Sequence, residues 1–275
     1  MNVWIVNQYA VPPSQSGGTR HYKLARLLAR KGHRVTIVAA DLNYQTGEPC
    51  FLKTGETSGA ETIDGVRFLW QRVPAYQGNS IGRVHNMLGF SRRVLSSMRH
   101  AAEDLPDVII GSSPQPFAAL AAQRIASRLG VPFVLEIRDL WPQSLVDLGN
   151  LSPRHPFVLL LAAVERRLYR GARRIVTVLP NAARHMIERG ARPERIVCVP
   201  NGVDLSDAGE PVPPCRSDHF TVMYAGAHGV ANDLHTVLDA AAKLRRDDAA
   251  KDIRFRLIGD GPLNGTLQQR AAREG

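Results

Sequence analysis

Within its first forty residues the chain runs strand, glycine loop, helix, strand, and the same order returns after a proline-rich break near residue 210. No other feature constrains the fold as much. Strands joined through helices pair in parallel, and the connecting helices then cover both faces of the sheet. Val3-Trp-Ile-Val6 is an apolar run of buried-strand type, and the polar loop after it ends in Ser16-Gly17-Gly18. From His21 to Arg30 the period becomes helical, with Leu24, Leu27 and Leu28 on one face and Lys23, Arg26 and Arg30 on the other. Gly32 ends this helix, and Val35–Ala40 is the next strand.

Further strands are expected at Val66–Trp70, Val108–Gly111, Val131–Ile137, Arg174–Leu179 and Ile196–Val199, with helices over Phe117–Leu129 and Val158–Tyr169. The stretch 43–63 is polar, contains glycine and reads as a long loop or small excursion. The class is α/β, with doubly wound, Rossmann-like domains. The first domain is expected over 1–205, a linker with Pro211, Pro213 and Pro214 over 206–217, and a second domain over 218–275. The second opens with a strand at Phe220–Tyr224, the loop Gly226-Ala-His-Gly229, a helix at Leu234–Leu244 and a strand at Phe255–Ile258 that ends in Gly259-Asp-Gly-Pro262. Two strands make too small a parallel layer, so this domain is expected to be incomplete.

Composition narrows the function classes. No apolar stretch approaches the roughly 20 residues of a membrane span, and the amino terminus reads as a strand rather than a leader, so a cytoplasmic protein is expected. Cys50, Cys198 and Cys215 form neither a disulfide framework nor a zinc motif, and Cys198 is expected to be a small core residue. The net charge of +10 admits nucleic acid, an anionic membrane surface or phosphorylated substrates as partners. With aromatics at 6% and not interleaved with the arginines, nucleic acid is not expected. Arg154, Arg166, Arg167, Arg170, Arg173 and Arg174 stand against a single acid, Glu165, together with an apolar run from Phe157 to Leu161. That segment either rests on anionic lipid or packs its leucines inward and solvates its arginines.

The candidate site residues fall at strand ends. Gly17 and Gly18 start a helix, where backbone N–H groups can hold a phosphate or sugar hydroxyl; the loop matches neither the dinucleotide fingerprint nor the Walker loop. Ser112-Ser-Pro-Gln-Pro116, with Ser113, follows a strand at the edge where open α/β sheets bind ligands, though paired prolines also make plain turns. In Glu136-Ile-Arg-Asp-Leu-Trp-Pro142 three charges close an apolar strand, a costly arrangement unless they are paired or used. Asp139 is the first choice for a carboxylate that meets a substrate hydroxyl, as ligand or general base, with Glu136 and Arg138 beside it. Asn201 lies in an Asn-Gly turn. Gly226, His228 and Gly229 repeat the first loop's position and would suit a diphosphate, and Asp260 either meets a hydroxyl or caps the next turn.

Taken in order, Gly17-Gly18, Leu28–Val35, Arg138–Ser144, Glu165 before Leu168–Ala172, Val199–Asp204, Tyr224–Gly229 and Leu257–Pro262 resemble the retaining glycosyltransferases of family 4. These have the GT-B arrangement, two facing Rossmann-like domains, and the nearest branch builds bacterial surface and capsular polysaccharide and lipopolysaccharide, amino-sugar transferases included. The resemblance implies transfer of a sugar from a nucleotide-diphosphate donor, a UDP-sugar above all, with retention and with no cofactor or obligatory metal. It implies a lipid-linked or saccharide acceptor and work at the inner face of the cell membrane. Gly17 and Gly18 would lie near the donor phosphates and acceptor, Gly226 and Gly229 would meet the diphosphate, and Asp139 would stand beside the acceptor, across a cleft from both glycine loops. The chain departs from the family in three ways. The Ser112–Pro116 loop lacks the family's histidine, His228 and Asn232 stand where an arginine and lysine are usual, and the paired-glutamate motif would fall beyond Gly275. Weak nucleotide binding and little transfer are therefore expected of these 275 residues alone. Two alternatives are a truncated non-catalytic remnant that binds nucleotide sugar or membrane, and a sugar-nucleotide epimerase. Trp141-Pro142 and Asn201-Gly-Val-Asp204 speak against the epimerase.

Overall fold

The computed structural model describes all residues except 16, 44–46, 77–80, 98–103, 149–150, 206–208, 211–212, 214–216, 248–249 and 275. Cys215 and Ser16 therefore lie outside the described residues. The chain forms two compact units, Met1–Asp204 and Leu205–Gly275.

The first unit contains, in order, β1 (Asn2–Val6), α1 (Arg20–Arg30), β2 (Arg34–Ala40), β3 (Ser58–Ile63), β4 (Val66–Gln71), α2 (Ile81–Ser97), β5 (Val108–Ser112) and α3 (Pro116–Leu129). It continues with β6 (Phe133–Ile137), α4 (Gln143–Asp147), α5 (Pro156–Gly171), β7 (Arg174–Thr177), α6 (Ala183–Glu188) and β8 (Ile196–Cys198). The eight strands form one sheet in the order β3-β4-β2-β1-β5-β6-β7-β8, parallel except for the antiparallel pair β3–β4. Alternate residues of β1 serve opposite faces: Trp4 and Val6 join a core under α3 and α5, while Val3 and Ile5 join Tyr22, Ile37, Phe68 and Trp70. With both faces covered, β1 is buried at every position.

Local chemistry explains the ends of α3. Gln115 caps it by accepting from the Ala118 N–H, Pro116 occupies its first turn, and Gly130 closes it in the left-handed region at φ +70°. A Cβ on Gly111 would stand 2.9 Å from the Phe133 ring and 3.1 Å from the Ala119 backbone, so only glycine lets α3 lie this close to β5.

Four expectations change. The supposed loop 43–63 ends in a strand, β3, joined to β4 by the two-residue turn Asp64-Gly65, both residues at positive φ. Its residues are mostly exposed, so they lack the apolar alternation that marks a half-buried strand. Helix α1 fully buries His21, Tyr22 and Ala25, while of its leucine stripe Leu24 and Leu28 are half-buried and Leu27 is exposed. Polar tethers turn the helix: the Tyr22 hydroxyl bonds Asp64, and His21 bonds Ser112 and Glu136. Cys198 is exposed rather than a core residue, because β8 is the edge strand of the sheet. Finally α2, a long helix, was not expected from the pattern.

The second unit holds β9 (Phe220–Ala225), α7 (Leu234–Leu244), β10 (Ile253–Ile258) and α8 (Asn264–Glu274). Its two strands pair in parallel, Phe220 opposite Ile253 through Ala225 opposite Ile258, in a sheet of their own.

Candidate functional site

In the large sheet β1 lies between β2 and β5, so the chain winds outward in both directions from that point. Loops leaving the carboxyl ends of β1 and β5 diverge there and open a crevice, the place where open α/β sheets hold ligands. The loops after β1, β5, β6 and β8 carry Gly17 and Gly18, Ser113, Arg138 and Asp139, and Asn201 respectively.

Glu136, at the end of β6, is buried beneath these loops. Its Oε1 accepts from Arg20 Nε at 3.0 Å; its Oε2 lies 2.5 Å from His21 Nε2 and accepts from Ser112 Oγ at 2.6 Å. Burial opposes ionisation, but hydrogen bonds from His21, Ser112 and Arg20, together with the field of His21, outweigh it and hold the Glu136 pKa down at about 2. Both oxygens are thus occupied by protein groups. Arg20 carries the network to the next loop, donating to the carbonyls of Val199 and Pro200 at 2.9 Å each and to Asn201 Oδ1 at 3.4 Å. Arg26 pairs with Asp204 at 2.6 Å. Four loops from four strands are therefore tied to one buried carboxylate.

Above this layer, Ser113 Oγ accepts from the Arg138 N–H at 2.8 Å and the Asp139 N–H at 3.3 Å, which fixes the turn that presents both side chains. The Asp139 carboxylate accepts from Ser144 Oγ at 2.6 Å through one oxygen. The Arg138 guanidinium is half-buried and its Nε has no partner among the described residues. Burial lowers its pKa and the Arg20 charge adds to this, while Glu136 opposes both. A Cβ placed on Gly18 would be 3.5 Å from Arg138 Nη1, so the glycine loop borders the guanidinium directly. A cation, a carboxylate and bare backbone at one strand edge can hold an anion and a hydroxyl side by side.

A second buried carboxylate sits behind this turn. Glu165 accepts from the Tyr169 hydroxyl at 2.9 Å and lies 3.3 Å from His185 Nε2; burial raises its pKa against the pull of these partners.

In the second unit, Gly226, His228, Gly229 and Asp260 also come together, in a different way from the one expected. The Gly226 and His228 N–H groups donate to the carbonyls of Ile258 and Asp260, both at 2.9 Å, so these two amides bind protein rather than facing outward. A Cβ on Gly259 would fall 1.8 Å from the Gly226 carbonyl oxygen, at a φ of +152°, so the two loops interlock only through glycine. His228 turns into the fold of the second unit. It is buried, with Nδ1 3.1 Å from Asn264 Oδ1 and Nε2 without a partner among the described residues. Asp260 caps the next turn, accepting from the Gly261 N–H at 2.7 Å and Asn264 Nδ2 at 3.2 Å. A short 3-10 turn, Val230–Asn232, follows the loop, and α7 begins at Leu234 as expected, after Asp233 in the left-handed region.

Sequence reasoning missed Arg20 and His21. Their shared partner, Glu136, lies more than a hundred residues away, and the only local signal was an arginine and a histidine directly after a glycine loop. His21 reaches Ser112 Oγ at 3.1 Å from below and is buried beneath the crevice. Among the described residues no group of three His, Cys, Asp or Glu side chains could hold a metal ion.

Residues 17–202 match the glycosyl transferase 4-like domain, and the chain belongs to that family. No curated protein matches it by sequence. Among solved structures it is similar to HepE (Alr3699) of Anabaena, solved with UDP and glucose, at 14% identity and a TM-score of 0.62, covering 100% of this chain and 66% of that one. Sucrose-phosphate synthase of Thermosynechococcus elongatus follows at 13% identity and TM-score 0.68, covering 98% and 68%, and the lipopolysaccharide outer core galactosyltransferase WaaB at 13% and 0.55, covering 100% and 65%. The fold is thus of the GT-B glycosyltransferase kind, and the chain spans about two-thirds of the length of these structures.

Proposed function

We propose that the chain carries the acceptor side and part of the donor side of a retaining glycosyltransferase that moves a sugar, an N-acetylated amino sugar among the options, from a UDP-sugar to a lipid-linked or polysaccharide acceptor. The observation that carries this reading is the loop after β6, in which Asp139, held by Ser144, directly follows the half-buried Arg138, whose guanidinium borders Gly18 at the carboxyl edge of the sheet. In this scheme Asp139 accepts the hydrogen bond of the attacking hydroxyl. A bond forms from the acceptor oxygen to the anomeric carbon as the bond from that carbon to the diphosphate breaks, both on one face of the sugar. The hydroxyl proton passes to the departing diphosphate. Charge grows on the diphosphate as it leaves, so Arg138 and the backbone at Gly17 and Gly18 favour the transition state over the bound substrate. Glu136 serves as a positioning residue, and Ser113 and Asn201 hold the loops. Gly226, Gly229, His228 and Asp260 shape the donor-side loop. A lipid-linked acceptor and the net charge of +10 favour work at an anionic membrane face; no described helix is long and apolar enough to cross one.

The test is Asp139→Asn in the full-length protein, assayed with UDP-sugars and a lipid-linked saccharide. Turnover should fall by about 10²–10⁴-fold, with UDP affinity changed by less than about threefold. Unchanged turnover, or an equal loss of UDP binding, overturns the assignment.

A further inference from the structure

At the amino edge of the large sheet, opposite the crevice, lies a groove of about 1200 Å³ between the carboxyl-terminal turns of α3 and α5. Seven of the chain's 35 lysines and arginines line it. Arg124 and Arg128 come from α3 and Arg166, Arg167 and Arg170 from α5, while Arg173 and Arg195 precede β7 and β8. No aspartate or glutamate lines the groove.

The plain explanation is that cations neutralise helix carboxyl ends, and one arginine does this. Arg195 Nη1 donates to the Ala172 carbonyl at 2.8 Å and the Arg170 carbonyl at 3.3 Å. Each helix end carries only about half a negative charge, so two ends offset about one of seven guanidinium groups. The remaining six form no ion pair among the described residues. Like charges gathered around one concave surface repel each other, and the fold draws no contact from that repulsion. A multiply charged anion would remove it, and the planar guanidinium fork matches oxygens on phosphorus in pairs. The one aromatic of the lining, Phe133, is buried, which leaves no face on which a nucleobase could stack.

We propose that this groove is a second anion site, separate from the transfer site, that takes clustered phosphate groups, from free oligophosphate or from the headgroups of anionic lipid. The exposed stripe of α5 suits the lipid source as well. Leu159 and Leu160, both more than half exposed, continue the line of Arg166, Arg167 and Arg170 along one helix face. The proposal stands whether or not the protein transfers sugar.

The experiment titrates the whole chain with tripolyphosphate by calorimetry and sediments it with phosphatidylcholine vesicles with and without phosphatidylglycerol. Arg166→Gln with Arg170→Gln is compared with Arg92→Gln with Arg184→Gln, which removes the same charge from exposed positions outside the groove. Binding of tripolyphosphate, of phosphatidylglycerol vesicles or of both, weakened tenfold or more only by the groove pair, supports the site and identifies its source. UDP affinity should not change in either variant. Equal weakening by both pairs, or no binding of either probe, overturns it.

Discussion

The two units begin with the same pattern and treat their strands in opposite ways. In the first, β1 and β2 are buried along almost their whole length; in the second, Phe220, Met223 and Ile258 are 68%, 58% and 48% exposed. β9, Phe-Thr-Val-Met-Tyr-Ala, is mostly apolar like β1, so hydrophobicity alone does not make the difference. Neighbours do. β1 has a strand on each side and helices over both faces, whereas β9 and β10 have only each other in their sheet. An apolar strand contributes to stability only through the surface that other elements remove from water.

The widest test of this contrast compares isoleucines. Ile37→Ala in β2, at full burial, should cost about 3–4 kcal/mol, whereas Ile258→Ala should cost only about 1 kcal/mol because about half of the residue stays in water in the folded state. Trp4, Trp70 and Trp141 all lie in the first unit, so urea unfolding followed by tryptophan fluorescence reads Ile37, and hydrogen exchange in β9 and β10 reads Ile258. Equal costs would break the comparison.

The next test uses acid. Glu136 ionises at about 2 in the fold against an ordinary 4.5, so its ionised form stabilises the first unit above pH 4.5 and that contribution disappears as pH falls towards 2. The difference is worth about 3 kcal/mol. Glu136→Gln should be less stable at pH 6 and should lose less stability on acidification than the unaltered protein. Parallel stability–pH curves for the two would remove Glu136 as the tie between the loops. No such buried carboxylate is among the described residues of the second unit.

The smallest effects come from two glycines of the second unit. Gly259→Ala forces a methyl group against the Gly226 carbonyl and should cost about 2 kcal/mol. Gly265→Ala, in α8 with open space around it, should stabilise by up to about 1 kcal/mol. Hydrogen exchange in β9 and α8 separates them, and a shared sign would show that the loops do not interlock as described.

Local periodicity was enough to mark most strands and the helices over residues 117–129 and 158–169, because the spacing of apolar residues records which face an element will bury. The same spacing placed the glycine loops and Asp139 at strand ends. It failed where burial does not follow the pattern, as in the polar edge strand β3, in α1, where His21 and Tyr22 are buried more deeply than the leucines, and at Cys198 on an open edge.

By itself, then, the sequence determined an α/β order of elements, a parallel sheet and a set of polar residues gathered at strand ends, since these follow from neighbours a few positions apart. Only the tertiary structure decided that Arg20, His21 and Ser112 hydrogen-bond Glu136 and that Arg20 draws in the Val199–Asn201 loop. It alone turned His228 inward and brought arginines from two helices and two strand entries around one groove. The reason is distance along the chain. A hydrogen bond or a shared charge between residues a hundred positions apart depends on strand order and helix rotation, which no local pattern records.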